Sequence, residues 1–169
     1  ESIALFGEKL TNKDTAEQVI DFVMGRFKAY YQEKDFSLDV IQAVLAKRPT
    51  APLDFDKRIK AVSYFRSLAE SETLAAANKR VGNILAKFNG QLYASFDSSL
   101  ATDEAEKDLA SIYTHINDKI SPLMVSKDYQ AALTELSLLK APIDSFFDSV
   151  MVMSDDEAVK INRLTLLDQ

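Results

Sequence analysis

The chain has 169 residues, 47% of them hydrophobic, and a formal net charge of −6, enough for one ordinary domain or two small lobes sharing a core. With no Cys and a single His, it excludes disulfides, a thiolate nucleophile, cysteine-ligated zinc and a multi-histidine metal site. No apolar run approaches the ~18 residues that a helical membrane span needs, and Gly7, Gly25, Gly82 and Gly90 lie too far apart for a phosphate-cradling loop.

The charge is unevenly spread. Residues 20–90 hold 12 Lys and Arg against 8 Asp and Glu, whereas residues 91–169 hold 6 against 14. Such asymmetry fits a polyanion-binding face on an acidic body, and it also arises by chance. The start Glu1-Ser2-Ile3 lacks both a signal-peptide pattern and an initiating Met. A fragment or processed product is therefore expected.

Taken in chain order, the elements are helical. Asp14-Thr-Ala-Glu17 reads as a capping box, opening a helix that carries Val19, Phe22, Val23, Tyr30 and Tyr31. Gly25 weakens that helix and suggests close packing there. Ser37 caps a second helix carrying Leu38, Ile41, Val44 and Leu45, which Pro49 stops. Pro52 suits the first turn of a third, with Asp54 and Asp56 near its positive end and Phe55, Ile59, Val62 and Phe65 inward. A fourth starts near Ser71, with Leu74, Ala77, Val81, Ile84, Leu85 and Phe88 at helical spacing, and ends at Asn89-Gly90.

Residues 91–101 form the longer connection, where the charge balance changes. They divide the chain into expected sub-bundles 14–90 and 102–169 of a single all-helical domain. Beyond them, Asp103-Glu-Ala-Glu106 caps a helix with Leu109, Ile112, Tyr113, Ile116 and Ile120, and Pro122 starts a short turn. Asp128 caps a helix with Ala132, Leu133, Leu136 and Leu139. Pro142 begins one with Ile143, Phe146, Phe147 and Val150. Ser154-Asp-Asp-Glu157 reads as a full capping box before Val159, Leu164, Leu166 and Leu167. That last helix meets no stop signal, so a C-terminally truncated piece is expected. One apolar stripe per helix predicts an all-α bundle of about seven to nine helices.

No polar groups converge as an enzyme requires. His115 stands between Ile112 and Ile116 without a nucleophile signature. Asp155, Asp156 and Glu157 sit where a helix dipole stabilises acids. Asp144 and Asp148 lack partner carboxylates at metal-ligand spacing. Most of the sixteen Phe and Tyr residues lie on core stripes, with Tyr30, Tyr31 and Tyr93 as exceptions able to touch a ligand. The fourth helix carries the sharpest pattern. Lys79, Arg80, Asn83 and Lys87 share a polar face, and no acid interrupts Thr73 to Leu92. Three cations and an amide suit phosphate gripping and an exposed base edge. A solvated helix whose late basic residues complement its dipole accounts for them equally well.

The stretch Ala75-Ala-Ala-Asn-Lys-Arg-Val-Gly-Asn-Ile-Leu85 resembles the beta subunit of bacterial glycyl-tRNA synthetases. So do Asp39-Val-Ile-Gln-Ala-Val-Leu45 followed by Arg48-Pro and Asp54-Phe-Asp56, and Phe146-Phe-Asp-Ser-Val-Met-Val-Met153 followed by Ile161-Asn-Arg-Leu-Thr-Leu-Leu167. The last pair also resembles the helical DALR anticodon-binding domain of arginyl-type synthetases. The likeness runs from about Leu5 to Asp168, with the blocks in order. It implies an all-α anticodon-binding domain of a cytoplasmic alpha–beta glycine–tRNA ligase. The parent enzyme uses ATP and magnesium, and the catalytic site lies in the alpha subunit. The family continues past the position of Gln169 through a further helix.

The chain is accordingly expected to be a soluble domain that works by binding, without a catalytic centre, metal or cofactor of its own. Its partners would be a glycine tRNA at the anticodon region, the alpha subunit and the rest of the beta subunit, and neither DNA nor membrane. The expected RNA contacts are Lys79, Arg80, Asn83 and Lys87, then Arg26, Tyr30, Asn162 and Arg163. Asn162 and Arg163 could instead tie the last helix to its neighbours by buried hydrogen bonds. The competing reading is a helical docking module of the alpha–beta assembly with no direct RNA contact.

Overall fold

Eight α-helices make up the regular structure of the described residues, joined by one short 3-10 turn at Ser98–Leu100. The computed structural model describes Lys9, Asn12, residues 14–49 and residues 51–169. The readings of Glu1-Ser2-Ile3 and Gly7 lie outside them. The helices are α1 (Thr15–Gln32), α2 (Leu38–Leu45), α3 (Pro52–Ser67), α4 (Ser71–Leu85), α5 (Glu104–Ser126), α6 (Tyr129–Ser137), α7 (Lys140–Ser149) and α8 (Glu157–Asp168). The count and the all-α class agree with the periodicity.

The chain divides into two compact units, one ending at Ser63 and the other beginning at Tyr64. That boundary differs from the expected one at residues 91–101. Ile84, Leu85 and Phe88 pack against the core of Leu109, Phe146 and Leu164, so α4 shares its interior with the acidic half of the sequence. Packing, not charge balance, decides which elements belong together.

In the first unit, Tyr31, Val40, Ile41, Val44, Phe55 and Ile59 form the core, with Met24 and Phe27 against it. The stripe expected on α1 is thus corrected. Val19 and Phe22 are 54% and 65% exposed, and the packed side is Met24, Phe27 and Tyr31. Among the described residues nothing stands within 4 Å of a Cβ built at Gly25, so they show no close approach there. The Asp14 side chain makes no capping bond. Its backbone is close to helical (φ −92°, ψ 7°), which keeps the carboxylate from reaching back over the first turn. Asn12 secures the entry instead: its Oδ1 accepts from the Asp14 N–H, and its carbonyl accepts from the Thr15 hydroxyl.

In the second unit, Ala105, Leu109, Phe146, Val150, Val152, Leu164 and Leu166 form the core. The Asp103 box is present in full: Asp103 accepts from the Ala105 N–H and Glu106 accepts from the Asp103 N–H. Pro122 does not begin a new element, because α5 runs through it to Ser126. Asp118 and Pro122 are both exposed, so water can take the carbonyl that a proline leaves unpaired. The helix stops where Lys127 turns left-handed (φ 58°), and Asp128 then caps α6. Before α8 the cap is Asp156, not Ser154, and it accepts from Ala158 and Val159. Along α8, Val159, Asn162, Arg163, Leu164, Thr165 and Leu166 are all buried. This enclosure includes polar side chains that a single apolar stripe would have left outside.

Candidate nucleic-acid interface

The inner side of α4 is apolar, and Ile84 and Leu85 contact the core of their unit. Its outer side presents Lys79, Arg80 and Asn83, all exposed, as spacings of three and four residues require. The helix ends at Leu85, so Lys87 continues this surface from the following turn, not from the helix. Phe88 turns inward against the core, and a Cβ at Gly90 would collide with its ring.

Lys79, Arg80, Asn83 and Lys87 have no ion pair or side-chain hydrogen bond with the described residues. Several other cations are compensated, Lys60 by Asp56, Lys119 by Glu135 and Lys140 by Asp144, although Lys28, Lys47 and Lys57 are as free of ion pairs among the described residues as the α4 row. Arg80 nonetheless rests against an aromatic ring. Its guanidinium carbon lies 3.9 Å from the centroid of the Phe147 ring. Phe147 meets the fully buried Phe146 edge-on at 5.6 Å.

Arg26 and Tyr30 belong to the first unit, four residues apart on α1. The Arg26 guanidinium is 5.5 Å from the Phe22 ring centroid, and the Lys34 ammonium is 4.8 Å from that of Tyr30. Periodicity alone places Phe22 in the core. Its exposure instead gives this face alternating aromatic and cationic groups at Phe22, Arg26, Tyr30 and Lys34. Tyr31 turns the other way. Its hydroxyl donates to Asp56 at 3.0 Å, and burial, then this bond, push its ionisation well above the ordinary tyrosine range. Lys60 beside Asp56 holds the Asp56 carboxyl below the usual carboxylate range.

Asn162 and Arg163 face inward. Asn162 is fully buried; its amide donates to the Asp97 carbonyl at 2.9 Å and accepts from the Asp97 N–H at 2.8 Å. Arg163 donates to Glu106 at 2.7 Å, to the Thr102 hydroxyl at 2.8 Å and to the Met151 carbonyl at 2.8 Å. Thr165 accepts from the Tyr93 N–H. Three neighbouring polar side chains of α8 therefore fix residues 93–102. That connection presents Tyr93, Ser95, Asp97 and Ser98 around a shallow depression of about 460 Å³. The Ser99 hydroxyl, then its N–H, hold the Asp97 carboxyl below the usual range.

The second unit also contains an apolar groove of about 450 Å³, lined by Leu74, Val81, Leu109, Tyr113, Ile143 and Leu166 among others. His115 is exposed. Among the described residues no cluster of His, Asp and Glu suits a metal ion, and no helix is long and apolar enough to cross a membrane.

The second unit is thus a helical unit with a row of exposed cationic residues that lack acid partners among the described residues, and the comparison with known families gives it a family. Residues 74–169 match the DALR anticodon binding domain, and the chain belongs to that family. Over nearly its whole length it is similar to beta subunits of glycine–tRNA ligases. It is 70% identical over 168 residues to the one from Colwellia psychrerythraea, covering 99% of this chain and 24% of that protein. It is 57% identical over 166 residues to that of Aliivibrio fischeri (98% and 24%), and 58% identical over 164 to that of Photobacterium profundum (97% and 24%). The chain thus spans about a quarter of the length of these relatives.

Proposed function

We propose that this chain is the tRNA-binding, anticodon-recognising part of a glycine–tRNA ligase beta subunit, serving the ATP-dependent attachment of glycine to its tRNA in the cytoplasm. The observation that carries this reading is the exposed, acid-free row Lys79, Arg80 and Asn83 on the helix where the family match begins. Lys79 and Lys87 would contact phosphates, with Arg80 and Asn83 nearer the bases. Arg26 and Tyr30 are a second RNA-facing group on the other unit. Asn162 and Arg163 serve indirectly, by holding the connection around Asp97. ATP, magnesium and the alpha subunit would belong to the complete enzyme.

Fluorescence anisotropy with a glycine tRNA transcript, beside one of altered anticodon, tests the reading. Binding should weaken steeply with salt, because phosphate contacts release counterions, and should weaken again when the anticodon is changed. The apolar groove beside α4 favours one other reading, a docking module of the alpha–beta assembly. That reading predicts no salt-sensitive binding at all.

A further inference from the structure

Arg80 differs from the other cations of its surface in being stacked. Its guanidinium lies over Phe147 at 3.9 Å, and Phe147 is rooted edge-on against Phe146, which has no solvent exposure. The contact runs from α4 to α7, so two helices fix the position of one planar cation. An exposed arginine ordinarily samples many rotamers, and a partner must order it on binding. Here the contact with Phe147 already favours one placement. The guanidinium is planar, delocalised and weakly hydrated. With one face on Phe147, its other face suits the flat surface of an unpaired nucleobase. Asn83, one turn further along α4, offers an amide for a base edge. Lys79 offers a point charge for the adjoining phosphate.

We infer that Arg80 is a stacking platform for one unpaired nucleobase of the bound RNA, and that Phe147 is the positioning residue that holds it. The inference rests on the RNA-binding reading above and deepens it, assigning Arg80 to a base and not to the backbone. It also brings in Phe147, which sequence periodicity assigns to the core stripe of its helix.

The test uses the 169-residue chain and a fluorescein-labelled glycine tRNA transcript, measured by anisotropy at several salt concentrations. R80K keeps the charge and loses the stack; F147L keeps the apolar bulk and loses the ring. Each should weaken binding by about tenfold, within the range that base–aromatic and arginine stacking spans, and leave the salt slope unchanged. The double variant should fall no further than either single one, because both remove the same interaction. Removing single bases of the anticodon loop as abasic sites should reveal one position at which wild type and R80K bind equally. Thermal melting confirms that the variants are folded, and R80K decides the matter if F147L is not. Wild-type affinity for R80K, with a shallower salt slope for R80A, would overturn the platform and make Arg80 a phosphate contact, leaving RNA binding intact. Absence of wild-type binding at low salt would overturn both.

Discussion

Lys79, Arg80 and Asn83 on α4 and Asn162 and Arg163 on α8 come from the same few residue types, yet they end in opposite environments. The α4 group is exposed and has no acid partner among the described residues. The α8 pair is buried, with Arg163 on Glu106 and Asn162 on the backbone of Asp97. A cation in water costs the fold little and remains free to meet a polyanion. A cation only 7% exposed, as Arg163 is, must be paired where it stands. What separates the exposed row from the structural pair is therefore the burial of the helix face, not the chemistry of the residues.

The largest expected effect comes from breaking the buried pair. R163M leaves the Glu106 carboxylate enclosed without a counter-charge, which should cost about 3–5 kcal/mol, read by urea unfolding of the variant against wild type. Should R163M prove neutral, burial would not be what sets the two clusters apart. N162A is expected to cost less, about 2–3 kcal/mol, because it orphans the N–H and carbonyl of Asp97. Hydrogen exchange should show the Asp97 amide losing protection first. D103A removes the cap of α5 and should cost about 1 kcal/mol, seen as a lowered melting temperature.

A pH series sharpens the contrast within the first unit. Lys60 lowers the Asp56 carboxyl below its usual range, so the folded state binds that proton less readily than the unfolded chain does. The pair's contribution is present above the ordinary carboxylate range and is lost as pH falls through the depressed value. D56N should flatten this part of the acid-side loss in urea unfolding. The smallest effect on stability belongs to the exposed row. K79A and K87A should leave it within about 0.5 kcal/mol. Each removes one phosphate partner, so the salt slope of RNA binding should become shallower by about 0.7–0.9 per substitution. A large drop in stability for either would remove the distinction between the clusters.

Local sequence is enough to give the helices and several of their ends. Helical spacing marks Ile41, Val44, Phe55, Ile59, Leu109 and Phe146, and each is buried. Pro52, Asp103 and Asp128 stand at helix starts because a missing N–H or a short acceptor side chain fits only there. The row on α4 is equally legible, since charged residues at i, i+3 and i+4 share a face whatever the helix packs against. The remainder depends on long-range packing. Periodicity groups the residues of a face without saying whether another element covers it, so Phe22 and Phe147 both read as core. Phe22 is exposed, whereas Phe147 does pack against the core and from that half-buried position also meets Arg80, a contact that periodicity does not reveal. Asn162 and Arg163 sit beside apolar residues that their own helix places, but their partners Asp97 and Glu106 are 65 and 57 residues away in the chain. No local pattern encodes such a distance. Only the folded chain brings those groups within hydrogen-bond reach and so fixes which cations stay free to bind.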